Sequence, residues 1–99
     1  MATPYTGDTW HIKTRNLVAG RTPIIDTTPS AAVTWTATHN GAAYETGALV
    51  WEAFGFENSW AGQITLPATP GTLKVKVTIT AVVDGLPVRG TRQQSIQVV

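Results

Sequence analysis

The clearest alternation of apolar and polar residues in this chain runs over positions 72–83. A period of two residues is typical of an antiparallel strand with one buried face. A Pro-Gly pair at 70–71 and an Asp-Gly pair at 84–85 bound the segment with residues that favour turns. The pattern therefore predicts one long strand, whose core-facing residues are Leu73, Val75, Val77, Ile79, Ala81 and Val83.

Shorter alternations predict three more strands, over residues 9–15, 32–38 and 59–66. A short edge strand near 22–26 fits as well, because Pro23 is tolerated at an edge or at the start of a strand. The residues predicted to face the core are Trp10 and Ile12 in the first strand, Val33, Trp35 and Ala37 in the second, and Trp60, Ile64 and Leu66 in the third.

A hairpin is predicted where the second of these strands ends. Asn40 and Gly41 suit a two-residue type I′ turn, in which both positions need a positive φ. The chain would then return over residues 42–45. This register places Tyr44 opposite Ala37.

The alternation breaks at Gly47 and resumes at Leu49 and Trp51. A bulge or bend at the glycine would turn these two side chains toward the core. A helix over 41–54 is the alternative, since alanine, leucine and glutamate are frequent there. The central glycine and the Asn-Gly pair before it disfavour that helix.

The last segment of the chain carries Ile96 and Val98 on one face. Arg92 and Gln94 fall on the same parity, which is unusual for a strand that packs on a core. Two explanations remain open from the sequence. Either a bulge at Gly90 resets the alternation, or this part of the strand extends beyond the core.

Six or seven strands with turn signals every 8–12 residues or so are typical of a two-sheet sandwich. The 99 residues suffice for one domain. We therefore predict an all-β fold, an antiparallel β-sandwich of about seven strands over residues 9–99. Residues 1–8 show no periodic pattern and are predicted to form a flexible N-terminal arm. The chain contains no cysteine, so the sandwich would have no disulfide and no thiolate metal site.

Charge and hydropathy narrow the possible partners. The net charge is +1 and 13% of the residues are charged, whereas a nucleic-acid binder normally presents a concentrated basic face. No apolar run is long enough to span a membrane. The first eight residues have neither a basic start nor an apolar core, so we expect no signal peptide and synthesis in the cytoplasm. Nucleic acid and membrane are therefore not expected as partners.

No arrangement of reactive residues predicts an enzyme or a cofactor. The two histidines, His11 and His39, are distant in sequence, and metal sites need clustered ligands. No serine sits in a strained nucleophile elbow, and no glycine-rich phosphate loop is present. The carboxylates are scattered, mostly over predicted turns and outward positions: Asp8, Asp26, Glu45, Glu52, Glu57 and Asp84.

The aromatic residues divide into two groups. The four tryptophans lie at predicted strand positions, where indoles fill the space between sheets, although a sugar-stacking platform is an alternative. Tyr5, Phe54 and Phe56 lie in the arm or in a loop, where an exposed aromatic side chain often anchors a partner. Arg89 and Arg92 are close in sequence and complete the set of candidate partner-binding residues.

Residues 66–85 read Leu-Pro-Ala-Thr-Pro-Gly-Thr-Leu-Lys-Val-Lys-Val-Thr-Ile-Thr-Ala-Val-Val-Asp-Gly. This segment resembles the bacterial and bacteriophage Ig-like domains, in which a Pro-Gly-Thr turn leads into a Val/Thr strand and then an acidic-Gly turn. The rest of the chain lacks the Cys…Trp…Cys frame of antibody domains. The resemblance implies an accessory Ig-like β-sandwich that binds other molecules, and it implies no catalytic residue.

A short Ig-like domain without an export signal is similar to the small structural proteins of tailed-phage virions. The resemblance thus implies a capsid decoration protein or a connector, tail or baseplate protein. Its partners would be other virion proteins in a symmetric assembly, and its location would be the virion. The alternative function is a carbohydrate-binding module that uses exposed aromatic residues on a surface carbohydrate.

Overall fold

A computed structural model describes residues 3–15, 17–19 and 21–99, and no α-helix occurs in these segments. One 3₁₀ turn is found in the same segments, at Ala53–Gly55. The fold is therefore all-β, as predicted, and the helix considered over 41–54 is not formed. The strands are β1 (Thr9–Arg15), β2 (Val18–Ala19), β3 (Thr22–Pro23), β4 (Ala32–His39), β5 (Ala42–Ala48), β6 (Val50–Trp51), β7 (Ser59–Thr65), β8 (Gly71–Val83) and β9 (Leu86–Val98).

All strand pairs are antiparallel. One sheet has the order β1-β7-β6, and a larger one has the order β5-β4-β8-β9. The short strands β2 and β3 form a separate two-stranded ribbon. The two larger sheets contribute to one cluster of buried side chains, so each sheet covers the apolar face of the other.

The core uses most of the positions that the alternation predicts, although Val83 is half-buried and lies outside the cluster of buried side chains. Ile12, Trp60 and Ile64 from the smaller sheet belong to the same cluster as Val33, Trp35 and Ala37 from the larger one, together with Leu73, Val75, Val77, Ile79 and Ala81 of β8. Trp35 and Trp60 are buried, and the Trp60 indole Nε1 donates a hydrogen bond to the Ile24 carbonyl oxygen over 3.0 Å. Trp10 and Trp51 pack half-buried against the cluster.

The two-residue turn predicted at Asn40-Gly41 and the turn predicted at Asp84-Gly85 are confirmed. Asn40 and Gly41 have φ values of 51° and 85°, and they join β4 to β5. Asp84 and Gly85 have φ values of 52° and 77°, and they join β8 to β9. Positive φ at both central residues matches the twist of the flanking strands.

The register predicted for β5 is wrong by one residue. Ala37 pairs with Glu45 and Thr38 pairs with Ala43, so Tyr44 is the extra residue of a β-bulge. The bulge directs the Tyr44 hydroxyl to the Thr65 carbonyl oxygen, to which it donates a hydrogen bond over 2.6 Å. Desolvation of this hydroxyl, reinforced by the neighbouring Glu45 carboxylate, raises the pKa of Tyr44 above its ordinary value.

No bulge occurs at Gly47, which pairs directly with Trp35. A Cβ atom at this position would lie 2.7 Å from two carbons of the Trp35 ring, so the glycine makes room for the indole. The chain turns two residues later, where the Leu49 amide donates to the Val33 carbonyl oxygen and the Leu49 side chain is buried. Leu49 and Trp51 thus point inward, as predicted, for a different reason.

The last strand, β9, has no bulge at Gly90. The ladder between β8 and β9 runs from Gly71–Val98 to Val83–Leu86 without a register shift, so Gly90 marks no bulge. Arg92 and Gln94 are exposed although they share the parity of the buried Ile96. This part of β9 therefore extends beyond the core.

Candidate partner-binding surfaces

The loop with the two phenylalanines folds back over the smaller sheet. The Glu52 backbone N–H donates to the Ser59 carbonyl oxygen over 2.7 Å. The Glu52 carboxylate accepts a 3.0 Å hydrogen bond from the backbone N–H of Asn58. These two bonds close the loop at its base. The 3₁₀ turn packs against β7, and Ala61 of that strand is fully buried although it faces away from the core.

The two phenyl rings enclose His11 of β1, and we call this group the aromatic cluster (His11, Phe54 and Phe56). The His11 ring centroid lies 5.1 Å from that of Phe54 and 5.4 Å from that of Phe56, both at inclined angles. The Lys13 ammonium lies 4.6 Å from the Phe56 centroid. Such cation–π contacts contribute about 0.5–1 kcal/mol at exposed sites.

Phe54 is exposed over 54% of its surface, whereas Phe56 is half-buried. The φ of Phe54 is 57°, and Glu52 and Asn58 have φ values of 53° and 55°. Asparagine adopts this left-handed conformation readily, whereas glutamate and bulky phenylalanine do so rarely, at a cost on the order of 1–3 kcal/mol for each such residue. The loop thus holds an apolar ring in water at a conformational cost, and this combination is typical of binding sites rather than of passive connections.

Polar groups border the aromatic cluster. The Gln63 amide nitrogen lies 3.2 Å from His11 Nε2, in hydrogen-bond contact. His11 and Gln63 are paired across β1 and β7, so both side chains stand on the outward face of the sheet. The cluster therefore presents an apolar ring with hydrogen-bonding groups at its margin.

Arg89 and Arg92 belong to a different surface. They lie on opposite faces of β9, since they are three residues apart in a strand. Both nevertheless line an apolar groove of about 390 Å³ between the β2–β3 ribbon and the distal half of the β8–β9 hairpin. Arg92 also donates a hydrogen bond from Nη1 to the Arg15 carbonyl oxygen over 3.1 Å, which links the edges of the two sheets.

Tyr5 lies at a third place. The backbone around it is bonded to the end of β9: the Val99 amide donates to the Pro4 carbonyl oxygen, and the Thr6 amide donates to that of Val99. Val99 comes ten positions after Arg89 along the extended chain, which corresponds to about 33 Å. The five predicted partner-binding residues therefore form three surfaces rather than one.

The described part of the predicted arm, residues 3–8, follows the body of the protein. Besides the bonds at Val99, the Gly7 amide donates to the Leu66 carbonyl oxygen, and the Leu66 amide donates to that of Asp8. Residues 1 and 2 lie outside the described residues. The flexibility of the arm stays a prediction, and it requires that these bonds open.

Sequence reasoning missed the residues that complete these surfaces. His11 and Lys13 alternate with the core-facing Trp10 and Ile12 and carry no further local signal, and their contact with the loop joins residues more than 40 positions apart. Val18 and Leu86 at the rim of the groove had no signal beyond their apolar character. The pairing of β1 with β7, had it been known, would have placed His11 and Lys13 beside the loop.

Two other kinds of site do not occur among the described residues. No group of three or more histidine, cysteine, aspartate or glutamate side chains there could hold a metal ion. No helix in the same segments has the length and apolar character needed to cross a membrane. Comparisons with protein-family models, curated proteins and solved structures found no match.

Proposed function

We propose that this chain is an Ig-like β-sandwich that serves as a non-enzymatic structural protein of a bacteriophage virion. In this role it is a capsid decoration protein or part of the connector, tail or baseplate, and it binds neighbouring subunits of a symmetric assembly through its arm and loops. The all-β fold, with two antiparallel sheets around one cluster of buried side chains, is compatible with this role. The resemblance of residues 66–85 to phage Ig-like domains is the reason for proposing a phage virion as the assembly.

The observation that carries the proposal is the aromatic cluster. Its loop holds the exposed Phe54 in a left-handed conformation beside His11, and the Lys13 ammonium lies over the neighbouring Phe56 ring. An aromatic side chain with a polar margin is a frequent anchor of protein–protein interfaces. The loop is closed by backbone and carboxylate hydrogen bonds, so little conformational freedom is lost on binding.

The test is incorporation into virions. Phage particles that lack this chain are complemented with the wild-type protein or with the double variant F54A/F56A, and the copies per purified particle are counted by quantitative mass spectrometry. We expect the double variant to fold and to be incorporated poorly. Val50→Ala, which truncates another exposed apolar residue, is the matched control and is expected to be incorporated normally.

Two outcomes contradict the proposal. A wild-type chain that never copurifies with particles is not a virion component. A double variant that is incorporated normally removes the aromatic cluster from the interface. The arm is tested separately: full incorporation after deletion of residues 2–8 refutes its role in binding.

One observation favours the second candidate, a carbohydrate-binding module. The exposed Phe54 ring lies beside His11, which in turn contacts Gln63, and a sugar ring can stack on an aromatic face while such groups bind its hydroxyls. The tryptophans offer less, because Trp35 and Trp60 are buried. Calorimetric titration of wild-type protein and of F54A with soluble polysaccharides decides: saturable binding that F54A loses supports this candidate.

A further inference from the structure

The outer edge of β9 is open over most of its length. β9 is the last strand of its sheet, and no strand among the described residues pairs with its other side. Edge strands of this length are usually covered or blunted, because their free backbone groups pair readily with another chain. We infer that this edge binds an extended, acidic segment of a partner protein as an additional antiparallel strand. The inference rests on the proposed function and names the kind of segment that the protein receives.

The hairpin register fixes which backbone groups are free. In a two-residue hairpin the pair that flanks the turn, here Val83 and Leu86, is a hydrogen-bonded pair, and such pairs alternate along the ladder. Even-numbered residues of β9 therefore bond to β8. The odd-numbered residues direct their N–H and C=O groups to the open edge: Pro87, Arg89, Thr91, Gln93, Ser95 and Gln97.

Two observations agree with this assignment. Pro87 has no N–H and occupies an edge-directed position. The missing N–H therefore removes no hydrogen bond between β8 and β9. Val99 continues the same parity, and its N–H and C=O bond to Pro4 and Thr6 rather than to β8. An extended segment of the chain itself thus already lies along this edge at one end.

The space beside the edge is shaped for side chains of an added strand. Gly90 faces the inner side of β9 and leaves the apolar groove open between Val88 and Arg92. A second opening of about 240 Å³ follows on the other side of Arg92, bordered by Ile12 and Val77. Thr14 also lines it, and the Thr14 hydroxyl is buried without a hydrogen-bond partner. Alternate apolar side chains of an added strand would enter these two openings.

The charges beside the edge select an acidic segment. Arg15, Arg89 and Arg92 border the two openings, and the acidic residue at the groove is Asp84 in the turn. Arg89 stands on the outer face, so a residue directly opposite it in an added strand shares that face. A carboxylate there pairs with the guanidinium, while the neighbouring residues point inward.

The probe is an acetylated and amidated octapeptide of four Val-Glu repeats, which is added to the wild-type protein labelled for NMR hydrogen exchange. We expect saturable binding and slower exchange at the amides of Arg89, Thr91 and Gln93. The amides of Gly90 and Arg92 already bond to β8 and serve as internal references. A peptide of four Val-Lys repeats is expected not to bind. No binding by the first peptide, or equal binding by both, overturns the inference.

N-methylation of the peptide tests the backbone pairing itself. In an antiparallel arrangement the residues opposite Arg89 and Thr91 are the glutamates, and their N–H groups face β9. Methylating the four glutamate nitrogens is therefore expected to abolish binding, whereas methylating the four valine nitrogens preserves it. Binding that survives glutamate methylation overturns the inference.

Substitutions in the protein supply the matching test. Thr91→Pro removes one edge-directed donor without removing a bond to β8, and we expect it to weaken peptide binding about tenfold. Arg89→Glu is expected to weaken it similarly, with Lys74→Glu on the neighbouring strand as the matched charge control. If T91P fails to fold, the methylated peptides decide the question with the wild-type protein. Self-association of the wild-type chain that T91P abolishes makes a second copy the occupant and overturns the inference.

Failure of this inference and failure of the proposed function are distinguishable. The variant F54A/F56A leaves the β9 edge intact and is expected to bind the peptide normally. Virions that lose the chain through F54A/F56A, combined with a peptide that does not bind, refute the edge site alone. A peptide that binds to a chain absent from virions refutes the virion role alone.

Discussion

The strands β8 and β9 are equally long and are paired residue for residue, yet they differ in what they contribute to the core. Five residues of β8 are buried in regular alternation, whereas in β9 only Ile96 and Val98 are buried. Among the described strands, β8 lies between two neighbours, while β9 has one. The smaller sheet is also one strand narrower than the larger one. Backbone pairing alone therefore does not place a strand in the core.

The largest effect is expected from Ile79 of β8. Ile79 is 5% exposed and belongs to the core cluster, so Ile79→Ala leaves a cavity and is expected to lower the free energy of unfolding by about 2–5 kcal/mol. Urea denaturation measures the change. A loss below about 1 kcal/mol would mean that this part of β8 is no better packed than β9.

The second edge strand of the same sheet sharpens the comparison. Gly47 of β5 contacts the core, since an added Cβ would lie 2.7 Å from the Trp35 ring. Gly47→Ala is expected to cost about 1–3 kcal/mol by overpacking, measured in the same denaturation experiment. Ala48→Ser, at the exposed neighbouring position, is the control and should change stability by less than about 0.5 kcal/mol. Equal losses of stability for the two variants would show that β5 packs against the core no more closely than the middle of β9 does.

These cases show how far the sequence could predict the structure. The period of β8 and the two turns were predictable, because alternation and positive-φ residues are local signals. The bulge at Tyr44 was not, since its hydroxyl finds Thr65 on the other sheet. The contact of His11 with Phe54 likewise depends on which strands become neighbours. Local patterns determined the strands, and long-range pairing determined the candidate sites.

A smaller effect is expected from Tyr44→Phe, which removes the hydroxyl that links the edge strand β5 to Thr65. The loss of this hydrogen bond is expected to cost about 0.5–1.5 kcal/mol at neutral pH. Thermal unfolding followed by circular dichroism measures it. An unchanged midpoint would show that the bulge holds β5 in place without the hydroxyl.

The same substitution has a signature in alkaline solution. The pKa of Tyr44 is raised in the folded protein, mainly by desolvation, so the folded state keeps a proton that the unfolded state releases. This contribution to stability is complete below about pH 10 and is lost as the pH rises through the raised value. Wild-type stability should therefore fall more steeply than that of Y44F above this pH, and parallel curves would contradict the assignment.

The smallest effect is expected at Gly90, which pairs with Ile79 across the same ladder. A Cβ atom at Gly90 would meet no atom within 4 Å, so Gly90→Ala fits the folded strand. It also reduces the conformational entropy of the unfolded chain, and we expect a gain of about 0.4–1 kcal/mol in the free energy of unfolding. The paired residues Ile79 and Gly90 would then differ sharply: substitution at Ile79 would cost the most stability, and Gly90 would tolerate a larger side chain. Destabilisation by G90A would instead indicate that Gly90 packs against other atoms and that no open groove separates β9 from the core.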